Sequence, residues 1–484
     1  MRSAAAMSDA QGRYRRIGVV GGGFTGAAFA VHLARLAPSP VSIEIIEPRE
    51  QLGAGLAYGS CGPEHRINVP AERMTVFAQD PQHFAKWLAR DGNAPATPHR
   101  AGEPDPYAPR RVFGAYMSAL VEDAAQANPS GSTIRHRRDT AVGLSRTDSG
   151  WRVDLRTGGP AVFDHVVVCS TYGAPPFRWP LSGGAEALPH LVRNPWDQEA
   201  IAAIPPDADI AIIGTGLTMC DAVVTLRTNG HRGRVHAISR RALTPRPHAG
   251  FDTEYDLFEG TSPPSTALGL MRLLRSRIAN VEAAGGEWQT VIDSLRRKLH
   301  VYWKTLPLPE QAKIARRLRP FWDVHRFRIA PQVADLIASG RESGWLTISP
   351  GHILGIGSTQ DRFRIDWRPR RGDPRREEVD AIINCTGPDS DILHSGNPFL
   401  QSALQNGYLA PDALRAGLAV DAHGRLLNRS GSVSPCLWAA GPFARAVVGE
   451  ATGVPEASAQ ARHVAEAIAS ELSGSPAASP LGEP

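Results

Sequence analysis

A chain of 484 residues exceeds what one ordinary hydrophobic core organises, so two domains, three at most, are expected. Hydrophobic residues at 42% and charged residues at 21% describe a globular chain rather than a disordered or fibrous one. The formal charge of +5 is mild for this length, and no aromatic-interleaved basic module accompanies it, so no nucleic-acid partner is expected.

In chain order, residues 1–15 are small and polar and lack the apolar run of a signal peptide. They are expected to be disordered, and Met7 is as good a start as Met1. The first informative stretch runs from Arg16 to Arg49. Ile17-Gly18-Val19-Val20 reads as a buried parallel strand, followed by Gly21-Gly22-Gly23-Phe24-Thr25-Gly26, a G-x-G-x-x-G. The alanine-rich segment Ala27–Leu36 reads as a helix, stopped by Pro38 and Pro40, and Val41 to Glu47 as a second strand ending in an acid. Gly21 permits the tight turn, Gly23 lets a diphosphate approach the backbone, and Gly26 brings the helix close to the sheet. The helix start offers N–H groups and a positive dipole end to phosphates, and Glu47 stands where a carboxylate accepts ribose hydroxyls.

The arginine runs Arg135-His136-Arg137-Arg138 and Arg368-Pro369-Arg370-Arg371 read as solvated, loop-like surface. A second strand-glycine-helix unit spans Asp209 to Arg241. Ile210–Ile213 leads into Gly214-Thr215-Gly216-Leu217-Thr218-Met219, where Met219 replaces the third glycine and holds the helix slightly farther off. Its next strand, Val235–Ile238, ends in Ser239-Arg240-Arg241 without an acid. Hydroxyl and guanidinium groups there suit a 2′-phosphate, so NADPH is expected over NADH. Residues from about 252 to 331 show helical spacing, such as Leu270-Met271-Leu274 and Ile292-Leu295-Leu299, and read as a helical insertion or lid. Within it, Trp322-Asp323-Val324-His325-Arg326 reads as a packed helix end with an Asp–Arg pair. His248 and Asp252 either flank the nicotinamide or decorate a loop.

Three further apolar strands stop at a glycine: Val166–Cys169 before Gly173, Ala381–Cys385 before Gly387, and Leu437–Ala440 before Gly441. Two-domain flavoproteins return to their sheets in this way. After the last, Val454 and Pro455 open a helix to about Leu472 whose start is expected to face the flavin. FAD is therefore placed on the first unit, with Pro442 standing where many such proteins carry an aspartate. The fold class is α/β, with two Rossmann-like dinucleotide-binding domains. Residues 16–195 and 391–472 form the FAD domain, 196–390 the NAD(P)H domain, and 473–484 a disordered tail.

Glu47-Pro48-Arg49, Leu52–Tyr58, His65–Met74, Arg110–Tyr116, Gly214–Met219, Arg319–Arg326 and Ala451–Glu456 together resemble a bacterial FAD/NAD(P)-binding flavoprotein monooxygenase family. It includes FAD-dependent urate hydroxylases and nitrosuccinate-forming aspartate N-monooxygenases. The resemblance covers nearly the whole chain and implies an NAD(P)H- and O2-dependent monooxygenase of a small polar metabolite. Urate is the expected substrate and aspartate-like amines the alternative; a non-catalytic FAD/NADPH redox sensor is the reading from another class. Disulfide reduction needs a close cysteine pair, and Cys61, Cys169, Cys220, Cys385 and Cys436 form no C-x-x-C or metal-ligand pair. No metal is expected, a reduced cytoplasmic protein is the default, and no run spans a bilayer. His65, Arg66 and Asn68 are the catalytic candidates, with Arg73 beside them, on a loop expected near the flavin. Oligomeric state is left open.

Overall fold

The computed structural model describes residues 14–90, 106–170, 172–249, 254–450 and 452–474. The disorder expected at the two ends falls outside them, apart from residues 14–15 and 473–474, and so does Asp252.

The chain starts a parallel sheet with β1 (Arg16–Val20), β2 (Ser42–Ile46) and β3 (Thr133–Arg137). It then forms a small antiparallel sheet of β4 (Ala141–Thr147), β5 (Gly150–Leu155) and β6 (Ala161–Phe163), and returns with β7 (His165–Val168). A second sheet follows: β8 (Leu191–Val192), β9 (Ile210–Ile213), β10 (Val235–Ser239), β11 (Leu346–Thr359), β12 (Arg362–Pro369), β13 (Arg375–Val379) and β14 (Ala381–Asn384). Finally β15 (Arg425–Leu427) and β16 (Val433–Ala439) rejoin the first sheet. The first sheet runs in the order β15-β16-β7-β1-β2-β3 and the second β13-β12-β11-β10-β9-β14-β8. The architecture is α/β with two parallel sheets, each fringed by antiparallel strands at one edge.

Strands covered on both faces must be apolar along their whole length. That is the character of β7, β9 and β14, whose every residue is buried. The helix Phe24–Leu36 covers the first sheet, and the helix Val454–Ser473 packs against it. Ala27, Ala30 and Ala34 on one and Ala457, Ala461 and Ala465 on the other are small enough for a close approach. Burial of Phe29 and Leu33 adds about 2 kcal/mol each.

Among the helices between β10 and β11 are Ala267–Ala283, Gln289–Thr305, Leu308–Lys313 and Arg319–Arg326. They carry the apolar spacing read in the sequence and enclose their own core of Leu270, Val291, Leu295, Leu299, Tyr302 and Trp303. Trp303 donates its indole N–H to the Ala446 carbonyl (2.8 Å), so this layer rests on the segment just after Gly441.

Two readings need correction. Arg135–Arg137 are not loop but part of β3, where His136 Nε2 meets the Glu47 carbonyl (2.9 Å) and Arg137 pairs with Glu44, and Arg368–Pro369 likewise belong to β12. Alternation of long basic side chains with half-buried neighbours on an edge strand hides the strand signal. The second sheet also takes its edge strand, β8, from Leu191–Val192, upstream of the expected boundary at 196. Two residues are too short a run to read as a strand.

Candidate dinucleotide-binding sites and the seam between them

At the end of β1, Gly21 has φ +102°, and a Cβ there would stand 2.9 Å from the Cys169 carbonyl oxygen of the neighbouring strand's exit. Gly26 is tighter: its Cβ would stand 2.0 Å from the Gly21 oxygen. Gly23 caps the helix, and a Cβ on it would meet only Gly55 Cα, at 3.4 Å. Turn, close packing and open approach thus fall on the three glycines in that order. Glu47 is buried at the end of β2 and accepts from the Gly22 amide (3.0 Å) and from Arg49. Phe24 packs against Tyr58 and Phe113, and Thr25 lies against Gly441, where a Cβ would meet Thr25 Oγ1 at 2.6 Å. Gly441 has φ +84° and donates its N–H to Gln460 (2.9 Å). Val454 and Pro455 open the last helix behind Gly453. The two ends of the chain thus meet at Thr25 and Gly441. The loop Leu52–Gly55 joins this turn through Gly53 N–H to the Gly22 carbonyl (2.8 Å), a contact that glycine spacing did not single out.

The second turn repeats the design. Gly214 has φ +113°, with the Cys385 oxygen 2.1 Å from a Cβ there, and Gly216 caps the helix Leu217–Thr228 with nothing within 4 Å of its Cβ position. Met219 is wholly buried in the core, beside Cys220 and Val223. Thr215 turns inward, bonded to the Leu243 carbonyl (2.6 Å) and to Ser239 Oγ (2.8 Å), so both hydroxyls tie the turn to the end of β10. Leu217 and Thr218 are partly buried; Arg240 and Arg241 are exposed, the latter over the Phe321 ring. Ser239 is in register with Pro350 on β11. There a cleft of about 430 Å³ is lined by Pro350, Trp367, Arg370, Arg371 and Arg375.

His65, Arg66 and Asn68 sit at the seam between the two sheets' domains. His65 is buried; its Nε2 meets Thr225 Oγ1 (2.8 Å) on the second unit's helix, and its Nδ1 accepts from the Gly62 amide (3.2 Å). Arg110 forks onto Asp221 of the same helix (2.6 and 3.0 Å), while also reaching Asn68 Oδ1 and the Arg66 carbonyl. His248 Nε2 meets the Asn68 carbonyl (2.6 Å), and burial pulls its pKa down to about 4. With both its nitrogens engaged, His65 is tied into the seam rather than presented to a ligand. The Arg110–Asp221 pair spans 111 residues, so no local spacing reveals it.

The helical layer meets the start of the last helix through charge. Glu456 accepts from Arg296 (2.6 and 3.1 Å) and Arg326 (3.3 Å). Burial opposes its ionisation, but Arg326 and Arg296 prevail and hold its pKa down to about 2. Arg328 forks onto Asp293 (2.7 and 3.2 Å) beneath them. In the Trp322–Arg326 knot, Asp323 pairs with Arg319 (3.4 Å) rather than with Arg326, and burial pushes it up to about 6.

All five cysteines are free, and burial pushes the thiols of Cys169, Cys220 and Cys385 far up. Among the described residues, no helix is long and apolar enough to cross a membrane.

Residues 18–173 match a family model described as FAD-NAD(P)-binding. Uncharacterised proteins of Mycobacterium tuberculosis and Mycobacterium bovis are 22% identical over 463 residues, spanning 82% of this chain and 85% of theirs. Among solved structures, L-lysine 6-monooxygenase of Pseudomonas syringae has a TM-score of 0.60 at 18% identity, covering 96% of this chain and 99% of that one. The ornithine N-hydroxylase of Kutzneria, in a structure with reduced FAD, NADP+ and L-ornithine, has 0.59 at 13%, covering 95% and 99%. The reduced ornithine hydroxylase of Pseudomonas aeruginosa has 0.58 at 16%, also covering 95% and 99%. The fold is an FAD/NAD(P)-binding one.

Proposed function

We propose that this chain is an FAD- and NADPH-dependent monooxygenase of N-hydroxylase type, acting on a small polar amine. One observation carries the reading: two glycine-turned helix starts, one per sheet, belong to domains joined across the Arg110–Asp221 seam. FAD fits the first, where the backbone at Gly23 is open, Glu47 closes the ribose side, and Gly441, Val454 and Pro455 close the other end. The nicotinamide nucleotide fits the second at Gly214, Gly216, Leu217 and Thr218, with Arg240 and Arg241 facing a 2′-phosphate and the cleft at Arg370, Arg371 and Arg375 adding positive charge nearby. When bound, the cofactors supply electron transfer and oxygen activation. The chain's own task is binding, orientation and water exclusion. His65, Arg66 and Asn68 act as positioning residues that fix one domain against the other.

Amine N-hydroxylation has the support of the lysine and ornithine hydroxylases among the similar structures. No observation favours urate. Disulfide reduction lacks accessible, acidic thiols. The test is NADPH oxidation by the purified protein with L-lysine, L-ornithine, L-aspartate and urate, trapping hydroxylated product against peroxide. One amine should stimulate oxidation and be hydroxylated. A colourless protein that takes up no added FAD ends the proposal, and NADPH oxidation unaffected by every compound supports the redox-sensor alternative.

A further inference from the structure

Where the helical layer closes on the start of the helix Val454–Ser473, Arg296, Arg326 and Arg328 gather around Glu456, Asp293 and the buried Glu450. Arg296 and Arg326 share one carboxylate, that of Glu456, while Arg328 is already matched by Asp293. Arg326 is only 4% exposed, and its Nε–H has no partner among the described residues. A buried donor left unmade costs free energy, the more so on a charged group, unless a ligand completes it. Its guanidinium lies against the helix cap: a Cβ on Gly453 would stand 2.6 Å from Arg326 Nη2. The positive end of a 20-residue helix therefore adds to the same spot. On the turn Pro442–Val447 just before this helix, Arg445 has a second buried N–H without a partner among the described residues.

We propose that Arg326, with Arg296 behind it, forms an anion-receiving site that takes the carboxylate of a small substrate. Guanidinium and carboxylate match geometrically, and a bound carboxylate gives the unmade Nε–H its acceptor. The proposal rests on the monooxygenase reading for its word substrate, but the binding itself is independent of flavin. The pyrimidine edge of FAD is the other group that could carry negative charge here, and the test separates the two.

Binding of succinate, L-aspartate and urate, with succinamide as the uncharged comparison, is measured by calorimetry on the protein as purified and on Arg326→Gln and Arg326→Lys. Wild type should bind at least one carboxylate, ignore succinamide, and lose about tenfold or more in affinity in Arg326→Gln. Arg326→Lys keeps the charge but lacks the Nε–H and should fall between. The flavin midpoint potential, read in parallel, should stay unchanged. A fall in potential with unchanged carboxylate affinity gives the site to the flavin and overturns the proposal. So does equal binding of succinate and succinamide by wild type, a comparison that needs no variant to fold, or no binding of any carboxylate. Arg326-dependent carboxylate binding by a protein that takes up no FAD upholds this site and sinks only the monooxygenase reading.

Discussion

Glycines at matching places in the two turns do different work, and substitution separates them. At Gly26 a methyl would meet the Gly21 carbonyl oxygen at 2.0 Å, a backbone atom that cannot swing aside. Gly26→Ala should therefore cost several kcal/mol, roughly the upper end for overpacking, and strip bound flavin. At Gly216 the same methyl meets no atom within 4 Å, and φ is an ordinary −85°. Gly216→Ala should melt within about 0.5 kcal/mol of wild type yet bind NADPH more weakly if the diphosphate approaches the backbone here as proposed. Thermal melting and nucleotide titration decide; a lower melting point with unchanged NADPH affinity would refute the assignment. Arg240→Ala with Arg241→Ala should weaken NADPH about tenfold or more while sparing NADH, since both side chains are exposed and, among the described residues, meet only the Phe321 ring. Equal loss of both nucleotides would remove the phosphate role.

Individual elements show where reading from sequence succeeds. β1, β2, β9 and β10, with the glycine turns that follow β1 and β9, stand out because their signal is local: continuous apolar runs, then glycines that a close backbone approach demands. The two long helices of the insertion follow from apolar spacing alone. What the insertion touches does not, because Arg296 and Glu456 lie 160 residues apart. That contact has a pH signature. Glu456, with a folded pKa of about 2 against 4.5 unfolded, contributes stability that is present above pH 4.5 and lost as pH falls towards 2. The size is about 3 kcal/mol. Glu456→Gln should flatten the fall in melting temperature across that window, while lowering stability near neutrality by a similar amount because two buried arginines lose their counter-charge. A melting profile of Glu456→Gln that parallels wild type below pH 4.5 would remove the link.

At the scale of the whole molecule, the chain leaves the first sheet after β7, builds the second, and comes back with β15 and β16, so two covalent crossings join the domains. Two crossings alone do not fix an orientation; side chains at the seam must. His65, Arg66 and Asn68 read from sequence as catalytic candidates on a loop near the flavin rather than as a seam, since Thr225, which meets His65, and Asp221, which holds Arg110 beside Arg66 and Asn68, become neighbours only when the second domain docks. Asp221→Asn tests this. Arg110 is 16% exposed and Asp221 23%, so the amide leaves a largely buried guanidinium with one weaker acceptor, a cost of about 3 kcal/mol. That cost falls on the docked arrangement rather than on either domain's own core, because the pair joins the helix Arg110–Gln126 of one domain to Leu217–Thr228 of the other. The variant should keep its flavin and its NADPH affinity but reduce flavin more slowly, since the two nucleotides meet in fewer molecules at any instant. Stopped-flow reduction at saturating NADPH reads the rate, and small-angle scattering reads the spread of domain orientations. A normal reduction rate with a normal scattering profile would show that the seam holds without this pair.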